Sequence, residues 1–416
     1  MTNKIIILFI SLVPIFSFAQ TEKEVNNYFN IKTVSFTQNG QNVTPVFLIG
    51  DSFQFEFDDL FGNEANYYYT FTHCNYDWTP SDLTRNEYIN GFDDIRIQDY
   101  LNSFNTLQTF SHYRLTLPNQ QTQFKVSGNF MLKVLNEDKE VVFSRKLMLY
   151  ENLTSVPIQV RRTRGMDVFN TKQNLDFAVK STIITFQDPL KNVKVLLMQN
   201  GQYNNAIKNV PPQYTLGNDL IYKYDTQTQF WAGNEFMSYE IRDVRVPGNG
   251  VSFVDSKTGT YGSHLFPSSA RGNSIYTYFP DYNGNFIVKR INSEAINIEA
   301  DYTWVYFTLS APAFYEKKDI YVNGMFNNFA VSPDNKMEYN AKSAIYEKAI
   351  MIKQGFNNYQ YVVADSNGKI DNESAIDGNF FQTENNYTVL VYYRENAQRY
   401  DRIIGKGDAN SSNIIN

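Results

Sequence analysis

The stretch "YTFTHCNYDWTPSD", residues 69–82, places His73 beside Cys74 and follows them with Asp77 and Trp78. A cysteine beside a histidine is the residue pair of a thiol nucleophile and its base, and both side chains also bind soft metals. The chain has only 3 histidines and 1 cysteine, so few side chains are available for either chemistry. The stretch is therefore either a reactive centre, a metal site or part of the folded interior.

The residues up to Cys74 alternate in a way that predicts a β-strand. Successive strand residues face opposite sides, so His73 and Cys74 cannot act on each other as base and nucleophile. His112 and His264 can still approach Cys74 in space, but neither lies in a motif that indicates it. We favour Cys74 as a small buried apolar residue over a reactive thiol. Pro80 then ends the strand, because proline cannot donate to a ladder.

Two nearby carboxylates are the residue pair of glycosidase acid–base chemistry, in which they lie about 5 to 10 Å apart across a bond. The adjacent pairs Asp58–Asp59 and Asp93–Asp94 diverge in direction, so solvated turns or loops are the favoured interpretation. "DSNGKID", residues 365–371, resembles part of a calcium-binding loop in residue types, but its glycine is misplaced for an EF-hand. We interpret it as a hairpin turn. The sequence contains no GxSxG, HExxH, CxxC or phosphate-cradling loop. It therefore predicts no enzyme, no metal and no cofactor.

Composition limits the classes of partner and the means of stabilisation. The chain has 416 residues and a net charge of −6, which disfavours nucleic acid, because phosphate binding needs a dense cationic surface. A single cysteine cannot form an internal disulfide, so apolar burial must stabilise the fold. The 30 tyrosines and 33 phenylalanines supply large side chains for this burial.

The first residues, "MTNKIIILFISLVPIFSFAQ", combine Lys4 with an apolar run and small residues near Ala19. This pattern is typical of a secretory signal peptide, which we place at residues 1–19. The apolar run is shorter than the roughly 18 to 20 residues of a membrane-spanning helix, and no later segment is apolar enough to cross a bilayer. We expect export out of the cytoplasm by the general secretory pathway.

The elements that position these residues are short alternating runs such as "SFQFEF", "YYYTFTH" and "YTVLVYYR", separated by Asn/Asp/Gly turns. Helical spacing is nearly absent after residue 19. The pattern predicts an all-β chain of tandem antiparallel β-sandwiches of immunoglobulin-like or early-set type. We expect sandwiches at 20–153, at 154–300 with an irregular loop region, and at 301–403, followed by a disordered tail at 404–416.

The segment "YYYTFTHCNYDWTPSDLTRNEYINGFDDIRIQDYLNSFNT", followed by "HYRLTLPN", resembles the signature of the type IX secretion system plug protein family. The likeness extends through "VRRTRGMDVFNTKQNLDFAV" and covers most of the chain after residue 19. The matching positions, for which we expect a structural role in the first sandwich, are His73, Cys74, Asp77, Trp78, Pro80, Gly91, Asn105, Thr106, Tyr113 and Pro118.

The resemblance implies a non-enzymatic periplasmic protein that binds the giant outer-membrane β-barrel translocon of the type IX system. It implies a plug that seals the periplasmic opening of that barrel, at the inner side of the outer membrane. We expect a monomer within this complex, with exposed loops as the contact surface.

The last sandwich has a likeness of its own. "DIYVNGMFNNF" and "KQGFNNYQYVV" are similar to the early-set sandwich of glycogen-binding modules, which stack sugars on tryptophan. Here Phe329 takes the tryptophan-like position and Trp304 lies outside the motif. The favoured interpretation is kinship of fold without the ligand, and a periplasmic or surface carbohydrate-binding protein is the alternative function.

Overall fold

The computed structural model describes residues 20–257, 259–312, 315 and 318–414. The expected signal peptide, residues 1–19, lies outside this range. Strands dominate the described chain, which confirms the all-β prediction. Its α-helices are single turns, and none of them has the length and apolarity that a bilayer crossing requires. They are α1 Arg85–Tyr88, α2 Pro189–Asn192 and α3 Ile296–Glu299.

The first sandwich consists of two five-stranded sheets, β2-β1-β4-β9-β8 and β3-β12-β11-β5-β7, and a small ladder of β10 with β6. Its strands are β1 Ile31–Gln38, β2 Gln41–Asn42, β3 Val46–Leu48, β4 Phe53–Asp59, β5 Tyr68–Cys74, β6 Ile89–Gly91, β7 Ile95–Arg96, β8 Asp99–Asn102, β9 Ser111–Leu117, β10 Thr122–Phe124, β11 Gly128–Leu135 and β12 Val141–Tyr150.

Strand alternation explains the core of this sandwich. Phe53, Phe55 and Phe57 of β4 face the interior and are at most 2% exposed. Burying such a side chain contributes roughly 1.5–3 kcal/mol. The ring of Phe57 packs edge-on against that of Phe143 of the opposite sheet at 5.0 Å between centroids, and Phe47 of that sheet stacks on Phe53 at 4.1 Å. Aromatic packing therefore fixes the two sheets face to face.

The second sandwich pairs the sheet β13-β14-β18-β17, with β19 also beside β14, against the sheet β16-β15-β30-β31. Its strands are β13 Ile158–Arg162, β14 Lys172–Val179, β15 Val193–Gln199, β16 Gln202–Lys208, β17 Tyr214–Leu216, β18 Asp219–Tyr222 and β19 Gln229–Trp231, and later β30 Asn386–Tyr393 and β31 Arg402–Asn410.

The third sandwich is inserted into the second, between β19 and β30 of the chain. One sheet has the order β20-β29-β24, with β26 also beside β29, and the other has the order β21-β22-β25-β28-β27, with β23 beside β25. The strands are β20 Met237–Ile241, β21 Val251–Lys257, β22 Thr260–Leu265, β23 Ser268–Ser269, β24 Phe286–Val288, β25 Tyr302–Ser310, β26 Asp319–Asn323, β27 Glu338–Asn340, β28 Ile345–Lys353 and β29 Gly355–Ala364.

This insertion corrects the boundaries expected at 300 and 403. β30 pairs with β15, and its residues Tyr387, Val389 and Val391 share a core with residues of β14 and β15. Strands β20 to β24 belong to the third sandwich although they precede residue 300. The expected boundaries were wrong because a strand's alternation does not identify the distant strand with which it pairs.

The expected disordered tail from residue 404 was also wrong. β31 pairs with β30 from Asn386↔Asn410 to Tyr393↔Arg402, and Ile404 is fully buried. The glycines of this strand allow close packing on the preceding segment. A Cβ at Gly405 would lie 1.8 Å from Thr154 Oγ1, and a Cβ at Gly407 would lie 2.3 Å from the Val156 oxygen. Glycine marks close backbone approach here, and not disorder.

Candidate functional site

The stretch that follows β5 forms a tight loop between Asn75 and Thr79. The Asn75 N–H donates to the Thr79 oxygen at 2.8 Å, and the Trp78 N–H donates to the Asn75 oxygen at 3.0 Å. Trp78 has φ +67°, and the Asp77 carboxylate accepts from the Thr79 N–H and hydroxyl at 3.0 and 2.6 Å. Pro80 forms a bridge with Cys74, which closes the loop. These contacts aim Trp78 away from the first core.

His73 and Cys74 lie on opposite faces of β5, as strand geometry requires. The His73 ring packs on Phe130 of the first core, with Nδ1 2.8 Å from the Ser81 hydroxyl and Nε2 3.2 Å from the Ser127 oxygen. Burial lowers the pKa of His73 from 6.5 to about 4. The imidazole is therefore neutral at neutral pH and occupies a packed site.

Cys74 is fully buried in a cluster formed by the first and second sandwiches together, which we name the apolar seam. Burial raises the pKa of the thiol to about 12, so the thiolate needed for nucleophilic or metal chemistry does not form at neutral pH. The apolar seam consists of Cys74, Tyr76, Trp78, Met131 and Met148 from the first sandwich and Leu196, Met198, Leu390, Tyr392 and Ile403 from the second.

Hydrogen bonds cross the apolar seam from the polar groups of its tyrosines. The Tyr76 hydroxyl donates to the Val195 oxygen at 2.8 Å, and the Tyr76 N–H donates to the buried Asp401 carboxylate at 2.9 Å. The Tyr392 hydroxyl donates to Asn129 Oδ1 at 2.8 Å. Each bond joins a residue of the first sandwich to one of the second, so the seam has a single defined register.

A second junction joins the first and third sandwiches around Asp58, and we name it the charged seam. It contains Asp58 and His112 from the first sandwich and Tyr302 and Lys353 from the third. The pairing of β4 with β9 sets Asp58 opposite His112, whose Nδ1 lies 2.7 Å from Asp58 Oδ1. Asp58 Oδ2 accepts from the Tyr302 hydroxyl at 2.6 Å and from Lys353 Nζ at 2.7 Å. The carboxylate thus has three partners.

The charged seam excludes water, since the Asp58 and Lys353 side chains are 1% and 3% exposed. Burial alone would raise the pKa of the Asp58 carboxyl, but the Lys353 ammonium and the His112 hydrogen bond outweigh it and lower that pKa. The neighbouring Asp59 is buried as well and accepts from Asn30 and Tyr67. The expectation that Asp58 and Asp59 are solvated turn residues was wrong, because both are buried and their cationic or hydrogen-bonding partners are not adjacent in sequence.

The signature residues Asn105 and Thr106 lie in a loop that extends the charged seam. Asn105 has φ +56°, and the loop then presents two backbone N–H groups to the carboxylate of Asp301. The Leu107 N–H donates to Asp301 Oδ2 at 2.6 Å, and the Gln108 N–H donates to Oδ1 at 3.1 Å. This loop therefore docks the first sandwich on the start of β25.

The other signature residues act within the first sandwich. Gly91 has φ +129°, and a Cβ there would lie 1.9 Å from the Gln121 oxygen, so only glycine fits. The buried Tyr113 donates its hydroxyl to the Ala65 oxygen at 2.7 Å. Pro118 follows a cis peptide bond after Leu117. The signature thus divides between the first core and the two seams.

The remaining candidate groups for catalysis or metal binding stand apart. His264 is stacked between Phe253 and Tyr306 at centroid distances of 4.1 and 4.2 Å, with Nε2 3.4 Å from an Asp255 oxygen. Within the described residues, no group of three or more His, Cys, Asp or Glu side chains is arranged to hold a metal ion.

Phe329, the candidate sugar-stacking residue, is only 5% exposed. Its ring packs on Phe236, and Asn204 of the second sandwich donates to its backbone oxygen at 2.9 Å. A sugar needs an open aromatic face for stacking, and this ring has none. The residue instead contributes to the contact between the second and third sandwiches.

The third sandwich presents an exposed apolar surface along its irregular segment, residues 270–285. Ile275 is 93% exposed, and Tyr278, Phe279 and Tyr282 are each more than half exposed. We name these four residues the aromatic surface. Other residues of the same segment anchor it to the sandwich. The Tyr276 hydroxyl donates to Glu235 at 2.5 Å, and Asp281 accepts from the Phe236 N–H. The exposure therefore belongs to an ordered loop.

Sequence reasoning missed Asp58, Tyr302 and Lys353, which the structure brings together from positions up to 295 residues apart. A faint signal exists, because Glu56 and Asp58 occupy the polar face of a strand whose other face carries Phe53, Phe55 and Phe57. A strand whose polar face is fully exposed to solvent gives the same sequence pattern, so the sequence alone does not identify the buried pair of Asp58 and Lys353.

Comparisons with known proteins agree with this arrangement. A family model described as the type 9 secretion system plug protein 1st domain matches residues 31–151, which span the strands of the first sandwich. A hypothetical protein from Parabacteroides merdae has 32% identity and a TM-score of 0.89, over 94% of this chain and 100% of its own.

A second solved structure, Dpr2 Ig1-Ig2 in complex with DIP-Theta Ig1-Ig3, has 9% identity and a TM-score of 0.14, over 91% of this chain and 97% of its own. At that score the likeness carries no argument. No curated protein matches the chain.

Proposed function

The chain belongs to the type 9 secretion system plug protein family, and on this premise we propose that it binds and seals the periplasmic opening of the outer-membrane β-barrel translocon of that system. Family membership associates the chain with type IX secretion and with the bacterial envelope. The finer role, a non-enzymatic periplasmic stopper, is the proposal.

The two seams support this role most directly. A stopper must keep its shape against a wide pore, and the three sandwiches are locked by a buried apolar cluster on one side and a buried ion pair on the other. A preformed body binds a broad surface with little ordering cost. The signature residues Cys74 and Trp78 lie in the apolar seam, so residues of the family's sequence pattern are among those that hold the first and second sandwiches together.

The aromatic surface is the contact that we propose for the translocon. Exposed apolar patches on an ordered surface mark sites of protein association. Ile275 and Phe279 stand on a loop that is held from below by Tyr276 and Asp281, so they present a fixed shape. Aromatic side chains contribute large contact area at low entropic cost.

The test is a pull-down of the tagged native protein from detergent-solubilised envelopes, followed by mass spectrometry. A β-barrel protein recovered in stoichiometric amount is the expected result. The double variant Ile275→Ser and Phe279→Ser should lose it, whereas Ile183→Ser, at an exposed residue of the second sandwich, should retain it. Recovery of polysaccharide-handling proteins alone would favour the carbohydrate-binding alternative.

Sealing requires a separate measurement, since binding alone does not block a pore. A strain that lacks the protein should admit a large hydrophilic antibiotic faster than its parent, and the wild-type gene should restore the barrier. Unchanged outer-membrane permeability in the deletion strain would refute the sealing role even if the barrel is bound.

A further inference from the structure

A cleft of about 690 Å³ opens where the three sandwiches meet. Its walls come from the segment before β1, from β1 and β12 of the first sandwich, and from the loops and β28 of the third. Asn204 of the second sandwich also lines it. Clefts of several hundred Å³ hold ligands or short segments, and none of the contacts described above fills this one.

The lining of the cleft is cationic, although the whole chain has a net charge of −6. Two carboxylates, Glu24 and Asp334, also line it. Within the described residues, no carboxylate oxygen approaches within ion-pair distance of any of five cations in the lining. These five are Lys23, Lys32, Arg145, Lys146 and Lys369.

Three of these cations are partly buried. Lys146 Nζ lies 3.6 Å from the centroid of the Tyr203 ring, and burial lowers its pKa to about 8. Burial also lowers the pKa of Lys32 and of Arg145. Arg145 donates from Nη1 to backbone oxygens, but its buried Nε has no hydrogen-bond partner. Glu24 acts on Arg145 and Lys146, and Asp334 acts on Lys32, only from beyond ion-pair distance. A partly desolvated cation with no carboxylate in direct contact is costly, and an entering carboxylate relieves that cost.

Two unpaired strand edges also line the cleft. β28 pairs with β25 along its length, but on its other side it pairs with β27 only at residues 345–347. β1 pairs with β4, and on its other side it pairs with β2 only at Thr37 and Gln38. The stretches 350–353 and 31–34 therefore lack a second strand partner in the described chain and face the cleft. Such edges accept an extended peptide.

We propose that this cleft binds an extended, acidic peptide segment of another protein. The segment pairs its backbone with the open edge of β28 and directs carboxylates toward Lys32, Arg145 and Lys146. Alternate residues of a strand face opposite sides, so one face of the segment is acidic and the other packs on Ile350 and Ile352. The site does not depend on the plug function, because its charges and edges belong to the isolated chain.

The probe is a fluorescein-labelled hexapeptide of alternating glutamate and valine, titrated with the full chain from residue 20 and followed by fluorescence anisotropy. Saturable binding is expected, and the matched glutamine–valine peptide should bind at least about tenfold more weakly. Methylation of alternate peptide nitrogens should also weaken binding at least about tenfold, because it removes the donors of the added ladder.

Charge variants test the position of the site. Lys32→Gln with Lys146→Gln should weaken binding of the glutamate–valine peptide by about tenfold or more. Lys342→Gln, at an exposed lysine outside the lining, should leave binding unchanged and is the matched control. Thermal melting of each variant checks its fold, and the buried Arg145 is left intact for that reason.

Three outcomes would overturn the proposal. The first is no binding of the glutamate–valine peptide at millimolar concentration. The second is equal binding of the charged and glutamine peptides. The third is complete competition by inorganic phosphate together with indifference to peptide methylation, which would assign the cleft to small anions and not to a peptide strand.

Discussion

The two seams join the first sandwich to its neighbours by opposite physical means. The apolar seam buries ten side chains, among them that of Cys74 and those of three methionines. The charged seam places one carboxylate, Asp58, within 2.7 Å of three donors. Apolar contact is non-directional, whereas a buried ion pair requires each partner at one position.

This difference teaches which changes each seam tolerates. Methionine is flexible and fills irregular space, so volume-conserving exchange in the apolar seam should cost little. Removal of one member of a buried ion pair leaves the other charged and unpaired, which costs more than the pair itself contributes. The apolar seam supplies adhesion, and the charged seam fixes orientation.

The largest expected effect is therefore that of Asp58→Ala. The change leaves the Lys353 ammonium buried without its counter-ion, and the free energy of unfolding should fall by about 3–5 kcal/mol. Denaturant titration followed by tryptophan fluorescence measures this loss. Lys353→Met in the same chain should restore part of it, and Asp51→Ala, at an exposed residue, is the control. A loss below about 1 kcal/mol would contradict the role given to the charged seam.

The next effect concerns His73, an ionisable group beside the apolar seam whose ring contacts Tyr400 of the second sandwich. Its pKa is about 4 in the folded chain and 6.5 ordinarily, so the unfolded chain takes up the proton first as the pH falls. Stability should decrease as the pH falls from 6.5 to 4, by about 3 kcal/mol.

His73→Gln should remove this part of the pH dependence. Denaturant titrations at pH 7, 5.5 and 4 compare the two proteins, and the change with pH is the relevant quantity, because the variant also alters packing. Identical pH dependence of both proteins would show that His73 does not titrate as described.

Within the apolar seam, Met198→Ala should lower the free energy of unfolding by roughly 2–3 kcal/mol, because it leaves a cavity between the sandwiches. Met198→Leu conserves volume and should cost less than about 1.5 kcal/mol. The pair of variants measures the tolerance of this seam directly. Equally large losses of unfolding free energy in both variants would mean that the apolar seam tolerates substitution no better than the charged seam.

The smallest expected effect is that of Asp301→Asn. The amide oxygen can accept from only one of the two N–H groups of Leu107 and Gln108, and the amide nitrogen then faces the other N–H group. The free energy of unfolding should therefore fall by about 1–2 kcal/mol. Hydrogen exchange of residues 103–110 should rise while the first core remains protected. Uniformly faster exchange across the sandwich would contradict a local docking role for this loop.

The sequence was informative about some elements and silent about others for identifiable reasons. The aromatic alternation of β4 predicted its buried face, and strand geometry predicted that His73 and Cys74 diverge. The turn at 365–369 also has the expected hairpin form, with the Asp365 N–H bonded to the Lys369 oxygen. The strand β31 was missed because the end of the chain is polar, which is typical of a disordered tail, whereas its glycines permit close packing on Thr154 and Val156.

The sequence by itself determined the all-β class, the strand faces and the family, because alternation and motif spacing are properties of neighbouring residues. Only the tertiary structure decided that β30 returns to β15 across an inserted sandwich, and that Asp58 meets Lys353. It also decided that unpaired cations gather in one cleft. These outcomes depend on which distant segments of the chain pair or pack with one another. A local pattern of hydrophobic and polar residues is compatible with many such pairings.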